Sequence, residues 1–129
     1  MVLLLIALGG AAGSVLRYLL GGRAQHFAPH GFPLGTLFVN VVGCFLVGIL
    51  VRQFMNIQTH NYLRALLVVG FCGGFTTFST FSMETVGLIE GGKYSRVMAY
   101  IALSLTRSLT ATFAGMTMMR LIAGTGHAS

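Results

Sequence analysis

Polar side chains are scarce in this 129-residue chain, so the few that interrupt its apolar runs mark where chemistry can occur. Asn40 is the only strongly polar side chain between Thr36 and Arg52. Its amide can donate two hydrogen bonds, either to a neighbouring helix or to an anion stripped of water. Phe78 and Phe81 are three residues apart, so on a helix their rings share a face. Such a pair either packs a core or turns its positive ring edges toward an anion, holding it weakly enough for release. Thr80 and Glu84 stand one turn apart on a neighbouring face. Ser104, Ser108 and Thr112 recur every four residues. This hydroxyl stripe either bonds its own i−4 carbonyls and adjacent helices or lines a polar track. Two arginines fall within apolar segments, where a cation must reach water or a partner. Arg17 either anchors a helix end or faces an aqueous vestibule, where its field would attract anions. Arg107 sits near mid-membrane, and Glu84 is the only acid far enough inside a span to be considered as its partner.

Other chemistries find no support in the sequence. The cysteines Cys44 and Cys72 sit singly in apolar runs and read as inert, buried small hydrophobes. His26 and His30 are four apart, but Pro29 breaks the segment between them, which argues against a metal site. No Ser/His/Asp triad, phosphate-binding loop or paired carboxylate is visible, and the chain does not read as an enzyme. Eight Lys and Arg against two acids give a formal charge of +6. The basic residues lie singly beside apolar runs, which favours lipid headgroups over nucleic acid as their partner.

The elements that carry these residues follow from hydropathy. The chain is 55% hydrophobic and only 8% charged, against about a quarter charged in a soluble domain. Four apolar stretches, at 2–22, 34–54, 62–90 and 95–123, are each long enough to cross about 30 Å of hydrocarbon. Short connections separate them, so 1–129 reads as a single all-α integral membrane domain of four transmembrane helices. The first stretch lacks the basic flank of a secretory signal and continues past its small residues, so it counts as helix one. The connections are turn-rich: Arg23, Gln25, His26, Pro29, His30 and Pro33 in the first, Asn56, Gln58, His60 and Asn61 in the second, and Gly91-Gly92-Lys93 in the third.

The third stretch is too long for an upright span, since an unbroken helix of that length would run about 45 Å. Its glycines and β-branched threonines, from Gly70 to Ser82, predict a break near 73–77. Unwound backbone at membrane depth is tolerated only where protein buries it or a polar cavity meets it, so this segment is the expected functional centre. Charge at the two ends of the spans is nearly balanced: Arg52, Arg64 and Arg120 at one, Arg23, Lys93 and Arg96, with Arg17 nearby, at the other. The positive-inside rule then sets no orientation, and antiparallel pairing becomes possible.

Three stretches together resemble the small dual-topology fluoride channels, the Fluc or CrcB family. They are Gly9-Gly10-x-x-Gly13-x-x-x-Arg17-Tyr18, Gly35-Thr36-Leu37-x-Val39-Asn40-x-x-Gly43, and Gly73-Gly74-Phe75-Thr76-Thr77-Phe78-Ser79-Thr80-Phe81-Ser82-x-Glu84. The third is the most specific, and the likeness extends over all four helices in order and size. The resemblance implies a fluoride-selective channel that mediates passive efflux, with two pores in an antiparallel homodimer in a bacterial inner membrane. It assigns Asn40, Phe78 and Phe81 to the pore, with Ser79, Thr80, Ser108 and Thr112 on or beside a polar track that ends at Glu84. Arg17 falls at the vestibule and Tyr100 at a supporting aromatic position. It also implies a structural sodium ion (Na+) at the dimer interface, held by the backbone carbonyls of Gly73 and Thr76. Arg107 receives no role from it. The rival reading is a small proton-coupled multidrug exporter, which needs a membrane-embedded carboxylate in helix one, where this chain has none.

Overall fold

In the computed structural model, which describes residues 1–55 and 61–125, all regular structure among the described residues is helical. Helix α1 spans Val2–Gln25 and α2 spans Leu34–Phe54. The third crossing is composite: α3 (Asn61–Arg64) runs into a π-helical stretch (Ala65–Cys72), one further turn, α4 (Gly73–Phe75), and then α5 (Phe78–Glu90). The last helix, α6, spans Tyr94–Thr125. Val2–Gln25, Leu34–Phe54, Asn61–Glu90 and Tyr94–Gly124 are long and apolar enough to cross a membrane. The chain is therefore an all-helical integral membrane protein. Helix α1 runs three residues past the expected end at 22, and the expected connection residues Asn56, Gln58 and His60 lie outside the described residues.

Close approach of backbones organises the bundle. Helix α2 lies along α6, and Gly48 and Gly115 mark their tightest crossing: a Cβ on Gly48 would strike the Thr112 carbonyl, and one on Gly115 the Phe45 carbonyl. Helix α1 crosses the π-helical stretch in the same manner, with Gly9 and Gly13 against the backbone of Leu66 and Phe71. Gly9, Gly10 and Gly13 thus give α1 a smooth packing face, as small residues in membrane helices provide. Helix α5 ends in a Schellman motif, with Lys93 N–H donating to the Leu88 carbonyl and Gly92 N–H to the Ile89 carbonyl. Gly92, at φ +70°, supplies the left-handed residue that motif needs.

Little of the apolar surface is buried within one chain. A small core of Leu37, Leu88, Val97 and Tyr100 packs with Phe32 and Phe81, whereas Leu3, Val15, Phe113 and Leu121 point outward. Within each span only 11–33% of residues are buried inside the chain, so most of the apolar surface must meet lipid or another subunit.

Candidate functional site

The site forms where the third crossing breaks. Thr76 (φ −89°, ψ 155°) and Thr77 (φ −149°, ψ 117°) are both extended, a conformation that β-branched side chains favour. The break falls at the C-terminal end of the 73–77 stretch, because Gly73–Phe75 remains helical. Thr77 then caps α5: its Oγ1 accepts from Thr80 N–H at 3.1 Å. Asn40 reaches across from α2 and treats Thr77 as a strand neighbour would. Its Oδ1 accepts from Thr77 N–H at 2.7 Å, and its Nδ2 donates to the Thr77 carbonyl at 3.0 Å. From α1, Arg17 Nε donates to the Gly74 carbonyl at 3.0 Å, with Ser14 Oγ at 3.5 Å from the same oxygen.

These bonds redirect the backbone. Thr77 N–H is spent on Asn40 and Thr80 N–H on Thr77 Oγ1, so the carbonyls of Gly73 and Thr76 lose the donors that a continuous helix would have given them. Both carbonyls remain as acceptors beside the break.

Two grooves open on either side of Thr77, which lines both. The first, about 250 Å³, brings together Asn40, Phe78, Phe81, Ser104 and Ser108. Its wall is mostly apolar, and Ser104 Oγ, buried on α6, is without a hydrogen-bond partner among the described residues. Asn40 has a second amide hydrogen beyond the one given to Thr77, so clamping the break does not exhaust its donors. Phe78 is 77% exposed, and its ring meets that of Phe81 at 5.6 Å and 42°. Phe81 in turn leans on Tyr100 at 5.1 Å, and Tyr100 and Phe32 meet edge to face at 5.8 Å.

The second groove, about 280 Å³, gathers Arg17, Thr36, Thr80 and Glu84. Glu84 is held by two hydroxyls: Thr36 Oγ1 donates to its Oε1 at 2.8 Å and Tyr100 to its Oε2 at 2.6 Å. Tyr100 itself is fully buried behind Phe81 and touches the site through that bond.

The sequence-derived residues therefore divide. Asn40, Phe78, Phe81 and Ser108 share one groove; Arg17, Thr80 and Glu84 share the other. Ser79 is exposed, with its hydroxyl 3.2 Å from that of Thr77, and Thr112 donates back to the Ser108 carbonyl at 3.1 Å. Arg17 both lines the second groove and, through Nε, caps a carbonyl of the break. Two expectations need correction. Cys44 is half-buried and lines the first groove, because it follows Asn40 by one helical turn; Cys72 is buried as expected. Glu84 does not serve Arg107, since Thr36 and Tyr100 take it up while Arg107 lies exposed on α6.

Thr77, Thr36 and the burial of Ser104 carry more of the site than the sequence reading gave them. The signal for Thr77 was present, a threonine three residues ahead of Thr80 at a helix start. The pairing of Thr36 with Glu84 spans 48 residues and leaves no local trace.

Residues 4–116 match the CrcB-like protein family, Camphor Resistance (CrcB). A "Fluoride-specific ion channel FluC" of Rhizobium etli is 48% identical over 122 residues, covering 92% of this chain and 96% of its own. Proteins of the same name from Sulfurovum sp. (strain NBC37-1) and Phocaeicola vulgatus are 40% and 43% identical, over 95% and 90% of this chain and 97% and 96% of theirs. With both the family match and these relatives running nearly end to end, the chain belongs to the CrcB-like family.

Proposed function

We propose that this chain is the subunit of a fluoride-selective ion channel, passing fluoride out of a bacterial cell passively across its inner membrane. The observation that carries the reading is the first groove, where amide, hydroxyl and aromatic groups converge without a charged side chain. Fluoride must exchange its water for such donors. The free amide hydrogen of Asn40, the hydroxyls of Ser104 and Ser108, and the ring edges of Phe78 and Phe81 supply them, and a neutral lining releases the ion again. Relatives named for fluoride-specific conduction support the same ion. Arg17 and Glu84, with Thr80, would form the polar mouth of the path, and Ser79 and Thr112 lie beside it. An exporter driven by protons would need an acid in α1, which has none.

The subunit would work as an antiparallel homodimer, a reading supported by the balanced charge at the two ends and by the outward apolar surface. At the two-fold axis, the carbonyls of Gly73 and Thr76 from both copies could hold a sodium ion. Their fit rests on the donors that the break has taken from them. The ion would relieve the mutual repulsion of these carbonyls and stabilise the pair, and oxygen ligands without a carboxylate suit a monovalent cation.

The test is anion efflux from liposomes containing the purified protein. Fluoride release far faster than chloride release is expected; equal release of both, or none, would refute the reading.

A further inference from the structure

The end of the bundle that carries the α1–α2 loop and the α5–α6 turn gathers cations that the ion path does not use. Lys93 belongs to the α5–α6 turn and Arg96 to the first turn of α6, yet both side chains fold over Gly31 in the α1–α2 loop. A Cβ on Gly31 would lie 2.7 Å from Arg96 Nη1 and 3.2 Å from Lys93 Nζ, so the two cationic heads share the space over one glycine. Gly31 has φ +77°, which fixes the loop in a conformation few other residues adopt. Among the described residues, neither cation has a carboxylate within ion-pairing distance. Like charges held this close repel, and an anion bridging them would remove that cost.

The surroundings indicate which anion. Phe27 in the loop (84% exposed) and Tyr94 beside Lys93 (65% exposed) present aromatic rings at the end of the apolar spans. Aromatic rings next to basic side chains at that depth are the usual furniture of a membrane–water interface. Arg23, in the last turn of α1, adds positive charge to the same end, against the single acid Glu90. Basic pockets between transmembrane helices receive lipid phosphates.

We propose that Lys93 and Arg96, brought together over Gly31, bind the phosphate of an anionic phospholipid headgroup, with Phe27 and Tyr94 against the adjoining glycerol and upper acyl region. The proposal does not depend on the ion that the protein conducts.

The experiment is native mass spectrometry of the purified protein titrated with phosphatidylglycerol or phosphatidylcholine. Phosphatidylglycerol should bind more tightly. Each cation near an anionic lipid contributes about a fivefold factor, so Lys93→Gln with Arg96→Gln should weaken phosphatidylglycerol binding roughly 25-fold. Arg52→Gln with Arg120→Gln, which removes the same charge from the opposite end, should leave binding within about twofold. The charge-conserving exchange Lys93→Arg with Arg96→Lys should retain it, which separates a lost site from a misfolded protein. Millimolar inorganic phosphate should compete poorly, because it lacks the acyl chains. Equal binding of the two lipids, equal weakening by both neutralised pairs, or full competition by free phosphate would each overturn the proposal.

Discussion

Replacing Asn40 with Asp alters charge and donors while nearly preserving shape, so it probes what the groove asks of this position. In the native site Oδ1 accepts from Thr77 N–H at 2.7 Å, and a carboxylate oxygen keeps that bond. At the other oxygen the effect reverses: Nδ2 now donates to the Thr77 carbonyl at 3.0 Å, and an acceptor there would face an acceptor. An ionised carboxylate would also stand on the wall of the proposed fluoride path. Two negative charges about 4 Å apart repel by about 4 kcal/mol at an effective dielectric of about 20. Added to the barrier, that slows flux about a thousandfold. Asn40→Ala separates the two roles. It adds no charge but leaves Thr77 N–H and C=O without their partner, at about 1 to 3 kcal/mol each, so its main effect is on stability. The assay pairs fluoride efflux from liposomes with thermal unfolding of the same preparations. If Asn40→Asp conducts within tenfold of the unaltered protein, the anion does not pass Asn40; if Asn40→Ala unfolds at the native temperature, the clamp is not what holds the break.

Further outcomes follow from other parts of the site. Phe78→Ile should slow fluoride flux roughly tenfold or more while leaving unfolding unchanged, because the exposed ring contributes an edge rather than packing; unchanged flux would rule out the aromatic edge. Phe81→Ile should lose flux and also about 1 kcal/mol of stability, since its ring packs on Tyr100, and a purely structural effect would show as lower stability at normal flux. Tyr100→Phe removes the 2.6 Å bond to Glu84 and should destabilise by about 1 to 3 kcal/mol, read as a lower unfolding temperature; an unchanged temperature would mean that Thr36 holds Glu84 alone. Labelling a cysteine placed at the N-terminus of intact cells should find both orientations, and a single orientation would exclude antiparallel pairing. Exchanging sodium for a bulky organic cation should weaken dimerisation without making fluoride flux follow a sodium gradient; uphill flux driven by sodium would turn the protein into a symporter.

The four crossings were legible because apolar length is additive along the chain, and Leu34–Phe54 begins and ends where hydropathy alone puts it. The break was legible to within its five-residue window, since a stretch too long for the bilayer must yield where Gly and Thr concentrate. What the sequence could not give is partnership across helices. Asn40 as the clamp of Thr77, Arg17 as the cap of Gly74 and Thr36 as a hydroxyl on Glu84 join residues 37 to 57 positions apart, and nothing local encodes such pairings. The π-helical stretch was equally invisible, because Ala65–Cys72 has no residue that distinguishes a π from an α helix. The division into two grooves was hidden for a related reason. Phe78, Thr80, Phe81 and Glu84 lie on one helix, but which groove each one lines depends on how α5 turns against α2 and α6.

That division bears on how one interruption could serve ions of opposite sign. A break in a membrane helix frees donors and acceptors together, and each must be answered in the absence of water. Here the N–H groups of Thr77 and Thr80 are answered by side-chain oxygens, and the Thr77 and Gly74 carbonyls by Asn40 and Arg17. The carbonyls of Gly73 and Thr76 lose their helical donors to these bonds and remain as acceptors, a surplus that favours a cation. On the groove side the surplus is of donors, since Asn40 keeps an amide hydrogen and Ser104 a hydroxyl unpaired among the described residues, and that favours an anion. Asn40 stands at the boundary of the two, since it holds Thr77 in its extended form and keeps one donor for the groove. A change that restored a continuous helix through Thr77 would return donors to the Gly73 and Thr76 carbonyls and release the Asn40 amide, so the acceptor surplus would vanish while the donor surplus stayed.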